Sequence, residues 1–197
     1  METQKLRVER TYEPIGTFHV NGTEIRVSDP SYNKDTWCNT VLKNMKSGNY
    51  EVYISHKDCG DWGSRVDMLL IRSKRSPYKN LAAYAAADRV FVDEEDDTIC
   101  WMEPWKREAE IGVDSGMAGF FDEETVFSED AFKDYPDIET PCDSKWYSNI
   151  LALLSDADAG VFRSGAVSSS GYGDGGYDVF VLRNIKGEGH MACILFA

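Results

Sequence analysis

Residues 50–55, Tyr-Glu-Val-Tyr-Ile-Ser, and residues 65–72, Arg-Val-Asp-Met-Leu-Leu-Ile-Arg, mark this chain as a β protein. In the first segment every second residue from Tyr50 to Ile54 is large and apolar, which gives a strand one face for a core. The second segment is a nearly continuous apolar run. The turn-rich residues 59–63, Cys-Gly-Asp-Trp-Gly, separate the two. The pattern predicts a pair of antiparallel strands.

Strand patterns recur on both sides of this pair. Residues 12–27 hold short extended runs around Asn21-Gly22, a dipeptide typical of tight hairpin turns, and predict a hairpin that opens the fold. A closing hairpin is predicted from residues 179–182 and 191–196, across the glycine-containing turn at 186–189. Shorter extended segments are predicted at 89–92, 101–105, 111–113 and 120–121.

Helical signals are fewer than strand signals. Asp143 or Ser144 is placed to cap a helix that would cover a sheet, because its apolar residues fall on one face: Trp146, Ile150, Leu153 and Leu154. Asp35 is placed to cap a second, short helix over residues 37–45. The alanine-rich residues 81–87 favour a helix by propensity.

These patterns predict a mainly β (α+β) fold, an antiparallel sheet or sandwich with one or two short covering helices. The 197 residues contain no internal repeat, linker or low-complexity tract. A chain of this length buries a sizeable core without help from disulfides or metals. We therefore expect residues 1–197 to form a single domain.

The chain is strongly acidic, with 34 Asp and Glu against 21 Lys and Arg and a net charge of -13. Such a field repels phosphate backbones and argues against direct binding of DNA or RNA. The acidity either serves solubility or presents charge to a basic surface on a protein partner. The candidate partner surface combines the loop residue Trp62 with acidic residues expected at the surface: Glu94, Glu95, Asp96, Asp97, Glu123, Glu124, Glu129 and Asp130.

The five cysteines are odd in number and scattered, which favours free buried thiols over a zinc or disulfide framework. The first residues are charged, and no stretch reaches the roughly 18 apolar residues of a membrane span. We expect a cytoplasmic protein with no membrane association. Four of the five tryptophans, all except Trp62, are expected to pack in the core or against the sheet.

Three segments combine Asp with Gly, Ser or Pro. They are residues 28–32 (Ser-Asp-Pro-Ser-Tyr), 112–122, and 168–178 with the string Gly-Tyr-Gly-Asp-Gly-Gly-Tyr-Asp. A strand follows the last segment where a dinucleotide site needs a helix, so a nucleotide-binding loop is rejected. Turn formation and close strand packing are the structural alternatives to a site. The candidate loop-site residues are Asp29, Tyr32, Asp114, Ser115, Asp122, Asp174 and Asp178.

Three successive motifs also carry a resemblance: Asp29-Pro30-x-Tyr32, Val113-Asp114-Ser115-Gly116-x-Ala118-Gly119-x-x-Asp122 and Gly171-Tyr172-Gly173-Asp174-Gly175-x-Tyr177-x-Val179. The chain resembles a domain-of-unknown-function family of bacterial and phage-related cytoplasmic proteins, from about residue 17 onward. That resemblance implies a mainly β fold and supplies no mechanism. It also implies one shared site, whose members would be Asp29, Asp114, Ser115, Asp122 and Asp174.

Two hypotheses for function follow. In the first, the chain is a non-enzymatic acidic protein that binds and inhibits another macromolecule, as an anti-defence (anti-CRISPR-like) factor with a surface that mimics nucleic acid. In the second, it is a small enzyme or ligand-binding domain that uses the Asp and Gly loops. No cofactor is expected in the first case, whereas a hard cation, Ca²⁺ or Mg²⁺, would suit oxygen ligands in the second.

Overall fold

A computed structural model of the chain describes residues 11–79, 90–93, 98–101, 105–133 and 144–196. One α-helix, α1 (Lys145–Leu153), and two short 3-10 helices (Gly60–Trp62 and Glu129–Phe132) accompany the strands in this part of the chain. The strands are β1 (Glu13–Val20), β2 (Ile25–Ser28), β3 (Thr40–Leu42), β4 (Gly48–Asp58), β5 (Ser64–Ser73), β6 (Val90–Asp93), β7 (Thr98–Trp101), β8 (Trp105–Val113), β9 (Met117–Asp122), β10 (Ala159–Phe162), β11 (Gly165–Ser169), β12 (Gly175–Arg183) and β13 (Gly189–Leu195).

The fold is mainly β, as the sequence predicts. One antiparallel sheet has six strands in the order β1-β4-β5-β13-β12-β8, and a second has five in the order β10-β11-β9-β2-β3. The predicted β4–β5 pair and the closing β12–β13 hairpin are confirmed, with Val52 opposite Ile71 and Val181 opposite Ala192. Strands β6 and β7 form a separate antiparallel pair.

The predicted opening hairpin is wrong. Strand β1 pairs with β4, whereas β2 pairs with β3 and β9, so the two strands lie in different sheets. The connection between them is held by Asn21, whose backbone N–H and side-chain amide both donate to the Asp122 carboxylate. This contact with the end of β9 directs the chain into the second sheet.

The predicted helix after Asp35 is also wrong. Residues 29–39 form a loop that leads into β3, and the Asn33 side chain accepts hydrogen bonds from the Asp35 N–H and the Thr36 hydroxyl. Such local side-chain bonds compete with helix formation. The loop leaves Trp37 in solvent while Leu42 is buried in the core. The alanine-rich residues 81–87 lie outside the described part of the chain.

The main core lies between the two sheets and includes Phe18, Val27, Tyr50, Ile71 and Phe120. A second apolar cluster surrounds Trp146 of α1, which packs against Phe121 of β9 and Phe162 of β10. The prediction that α1 covers a sheet is confirmed, and Ser144 caps the helix by accepting a hydrogen bond from the Tyr147 N–H. No helix in the described residues is both long and apolar enough to cross a membrane.

Strand pairing brings four loops to one end of the two sheets. Asp58 of β4 lies opposite Ser64 of β5, and Gly175 of β12 lies opposite Val113 of β8, so the loops at 59–63, 114–116 and 170–174 are neighbours. Ser28 lies opposite Gly119 near the start of β9, which places loop 29–39 beside them. We call this set of four loops the loop end. The connection at 21–24, the Asp122 carboxylate and the β12–β13 turn lie at the opposite end.

Candidate functional site

Asp29 joins two of the loops at the loop end. Its carboxylate is fully buried and accepts hydrogen bonds through Oδ2 from the backbone N–H groups of Asp114 and Ser115, at 2.8 and 2.7 Å. Oδ1 accepts from the Ser31 N–H and the Ser115 hydroxyl, each at 2.7 Å. Asp29 therefore fixes loop 29–39 against loop 114–116, and its oxygens are occupied by protein donors.

Tyr32 places a polar group between the same two loops. Burial, followed by hydrogen bonds with the side chains of Asp114 and Cys38, raises the pKa of Tyr32 above its usual range. The phenol therefore stays protonated and donates to the exposed Asp114 carboxylate. Cys38 is a free, half-buried thiol that also lies close to the Cα of Gly112.

A cavity of about 410 Å³ opens beside Tyr32. Tyr32, Trp37 and Cys38 line one side of it, while Glu110 and Asp114 supply two carboxylates. Its remaining wall is largely backbone, from residues 111–113 and 175–176. Aromatic faces together with carboxylates attract positively charged groups.

The glycine-rich segment at 170–174 forms the third loop of this end. The Ser170 N–H donates to the Gly116 carbonyl at 3.0 Å, and the Ser170 hydroxyl closes its own loop by donating to the Gly173 carbonyl. Gly116 and Gly173 both have positive φ, which glycine adopts without strain, and their backbones approach each other closely. The second and third sequence motifs are therefore in contact.

Three large aromatic side chains extend into solvent from the loop end. Trp37 is 92% exposed, Trp62 69% and Tyr172 56%. Arg65 links two of their loops by donating to the carbonyls of Trp62 and Gly171, at 3.0 and 3.4 Å. Exposed aromatic residues of this size are typical of binding surfaces.

The structure brings together Asp29, Tyr32, Asp114 and Ser115, and places Asp174 exposed in the adjoining loop. Asp122 and Asp178 lie elsewhere. The buried Asp122 carboxylate accepts from the Thr125 hydroxyl as well as from Asn21, at the opposite end. Asp178 pairs with Arg107 on the outer face of β12 and β8.

The candidate acidic surface is spread over several settings. Trp62 lies in the loop end and is exposed, as the sequence predicts. Glu123 forms a bidentate ion pair with the buried Arg26, at 2.7 and 3.0 Å, and its charge is largely neutralised. Glu124 and Asp130 are exposed. The residues outside the described part of the chain, or without a described side chain, are Glu94, Glu95, Asp96, Asp97 and Glu129.

The sequence analysis did not identify two residues of the site. Trp37 was expected to pack in the core or against the sheet, as were Trp101, Trp105 and Trp146. This is wrong for Trp37, whereas Trp105 and Trp146 are buried and the Trp101 side chain lies outside the described part of the structure. Cys38 was expected to be a free buried thiol; it is free but only half-buried, and it lines the cavity. The clue in the sequence was the run of polar residues from Ser31 to Thr36, which favours a loop over a helix.

Within the described residues, no group of three or more His, Cys, Asp or Glu side chains is arranged to hold a metal ion. Asp29 and Asp122 act as hydrogen-bond acceptors that fix loops.

No family model, curated protein or solved structure matches this chain. The resemblance drawn from the three motifs stays a prediction.

Proposed function

We propose that this chain is an acidic, cytoplasmic binding protein that uses the loop end to engage a basic segment of a protein partner. The observation that carries the proposal is the clustering of Trp37, Trp62 and Tyr172 on loops that share one end of the fold. Tryptophan and tyrosine supply much of the binding energy in protein interfaces. Asp29, Arg65 and Ser170 fix the loops that carry these residues, so little order has to be gained on binding.

The charges around these aromatic residues indicate the chemistry of the partner. Exposed carboxylates at or beside the loop end belong to Asp58, Asp61, Glu110, Asp114 and Asp174. The nearby cations are Lys34, Lys57, Arg65 and Arg107. Lys34 lies against Glu123, Arg107 pairs with Glu110 and Asp178, and the Arg65 guanidinium donates to two backbone carbonyls. Complementary charge steers association and selects a basic partner surface.

The cavity beside Tyr32 supports recognition of a single Lys or Arg side chain. A cation in this cavity would lie near the faces of Tyr32 and Trp37 and near the Asp114 carboxylate. An exposed contact of a cation with an aromatic ring contributes about 0.5–1 kcal/mol, and more when water is excluded. The half-buried position of Tyr32 favours the stronger end of that range.

The biological role we propose is inhibition, as an anti-defence factor. A partner whose basic groove normally holds nucleic acid would be blocked by an acidic protein bound in that groove. The charge of -13 over the whole chain supports this competition. The loop end, with its aromatic residues, supplies the specific contact.

The test uses defined peptides and matched variants. Binding of a ten-residue peptide of alternating Lys and Ala is measured by tryptophan fluorescence and calorimetry, with the Glu-Ala peptide as the charge control. We expect the Lys-Ala peptide to bind and the Glu-Ala peptide not to bind. In W37A/W62A the affinity for the Lys-Ala peptide should be at least tenfold lower. I185A is the control, because Ile185 is fully exposed at the opposite end. Equal binding by W37A/W62A and the original protein would contradict the proposal.

A second experiment addresses inhibition. Proteins retained from host lysate by the original chain are compared with those retained by D61K/D114K/D174K and by I185A. We expect the charge-reversed variant to lose a nucleic-acid-binding protein that I185A keeps, and the purified partner to release its nucleic acid when the chain is added. Retention of the same proteins by all three would contradict nucleic-acid mimicry.

A further inference from the structure

Three segments at the end opposite the aromatic loops carry the reverse charge. Residues 43–51, 72–79 and 183–190 contain eight Lys and Arg but two Glu, in a chain that has an excess of acids overall. We call these three segments the basic end. The Tyr78 hydroxyl donates to the Arg183 carbonyl, and the Arg183 guanidinium donates to the carbonyls of Asn44 and Gly187, so the segments are in direct contact.

The two glutamates within the basic end are already paired. Glu188 accepts from Lys46 at 2.9 Å, and Glu51 accepts from Arg72 at 2.7 Å. Glu108 of the neighbouring β8 pairs with Arg183. The positive charge that remains comes largely from exposed side chains of one segment, Lys74, Arg75 and Lys79.

A cavity of about 360 Å³ lies within this segment. Arg72, Lys74 and Lys79 line it, and Glu51 is the one acidic residue in its described lining. The net charge of these four side chains is +2. Arg72 is held in place by Glu51, by the Tyr53 hydroxyl and by the Lys79 carbonyl, so that its position does not depend on a ligand.

Two buried hydroxyl groups also line this cavity, those of Ser73 and Ser76, each 1% exposed. Each hydroxyl oxygen accepts a backbone hydrogen bond, from the Arg75 N–H at 3.2 Å and the Tyr78 N–H at 3.1 Å. In the described part of the chain neither hydroxyl donates its own proton. A buried donor without an acceptor is costly, which indicates that an acceptor atom belongs in this cavity.

We propose that this cavity binds a phosphate group. A phosphate monoester carries a charge of about -1.5 to -2 at pH 7 and offers three acceptor oxygens. The two net positive charges match that charge, and the serine hydroxyls with the Lys74 and Lys79 ammonium groups match those acceptors. A carboxylate has half the charge and fewer acceptor positions. The site is independent of the loop end, so each is tested separately.

The test is a titration with inorganic phosphate at pH 7.5, monitored by backbone amide resonances at constant ionic strength. We expect saturable shifts centred on residues 72–79, with sodium chloride and acetate producing none that saturate. The double variant K74Q/K79Q should bind at least tenfold more weakly. K57Q/K106Q removes two exposed lysines elsewhere and should bind as the original protein does.

A second variant separates the hydroxyl contribution from charge. S76A keeps every lysine and should weaken phosphate binding severalfold, with the fold checked by its amide spectrum. A short single-stranded oligonucleotide is titrated in parallel to identify the source of the phosphate group. Tighter binding of the oligonucleotide, lost in K74Q/K79Q, assigns the site to a nucleic-acid backbone, and phosphate binding alone assigns it to a small ligand. Non-saturating shifts, acetate binding equal to phosphate, or unchanged binding by K74Q/K79Q would overturn the proposal.

Discussion

Replacing Asp29 by Ala tests how the loop end is held together. The substitution removes an acceptor of four hydrogen bonds and leaves the Asp114 and Ser115 N–H groups without their partner. Hydrogen bonds to charged groups contribute about 1.5–3 kcal/mol each, and part of the total is offset because a buried carboxylate no longer has to be desolvated. We expect D29A to lose about 3–5 kcal/mol of unfolding free energy, as other broken buried charge networks do. For a chain of this size that loss lowers Tm by roughly 6–20 °C.

Asp122 provides the matched control for this experiment. It is also fully buried and accepts three hydrogen bonds, but it lies at the opposite end. Thermal and urea unfolding should show a comparable loss of stability in D122A. Affinity for the basic peptide, measured well below both melting temperatures, should fall at least tenfold in D29A and change less than twofold in D122A. A loss below about 1 kcal/mol in D29A, or equal affinity losses in both variants, would refute the reasoning.

Three further predictions concern stability. Burial lowers the pKa of His190, so near this pKa the folded state binds fewer protons than the unfolded state. The free energy of unfolding should therefore be highest above pH 6.5 and fall as the pH is lowered below that value. In urea unfolding, H190Q should show a smaller fall than the original protein. G119A should lose about 3 kcal/mol in the same assay, because its methyl group would overlap the Ala166 carbonyl. W146F should lose about 1 kcal/mol more than F162L, which reduces packing in the same cluster and removes no hydrogen bond, because in W146F the Pro30 carbonyl loses the indole N–H donor.

Local patterns predicted the elements whose partners are close in sequence. The β4–β5 and β12–β13 pairs and helix α1 each depend on periodicity and on a turn or cap within a few residues. The opening hairpin failed because Asn21 bonds to Asp122, 101 residues away. Nothing in residues 12–27 indicates that long-range contact.

Only some of the candidate loop-site residues predicted from the sequence lie close together in the structure. Asp29, Asp114 and Ser115 meet because each lies at a strand terminus at the same end. Strand β9 starts at the loop end and runs away from it, so Asp122, its last residue, lies at the opposite end. Asp178 lies within β12, and its side chain pairs with Arg107. The motifs include residues from both ends of a strand, and sequence order alone does not separate them.

Amide hydrogen exchange with and without the bound basic peptide tests the proposed function most directly. We predict that protection on binding is confined to the loop end, at residues 29–39, 59–63, 114–116 and 170–174. Slower exchange in these loops, lost in W37A/W62A and kept in I185A, would support that surface. Protection centred on residues 72–79 or on the β12–β13 turn, with the four loops unchanged, would contradict it.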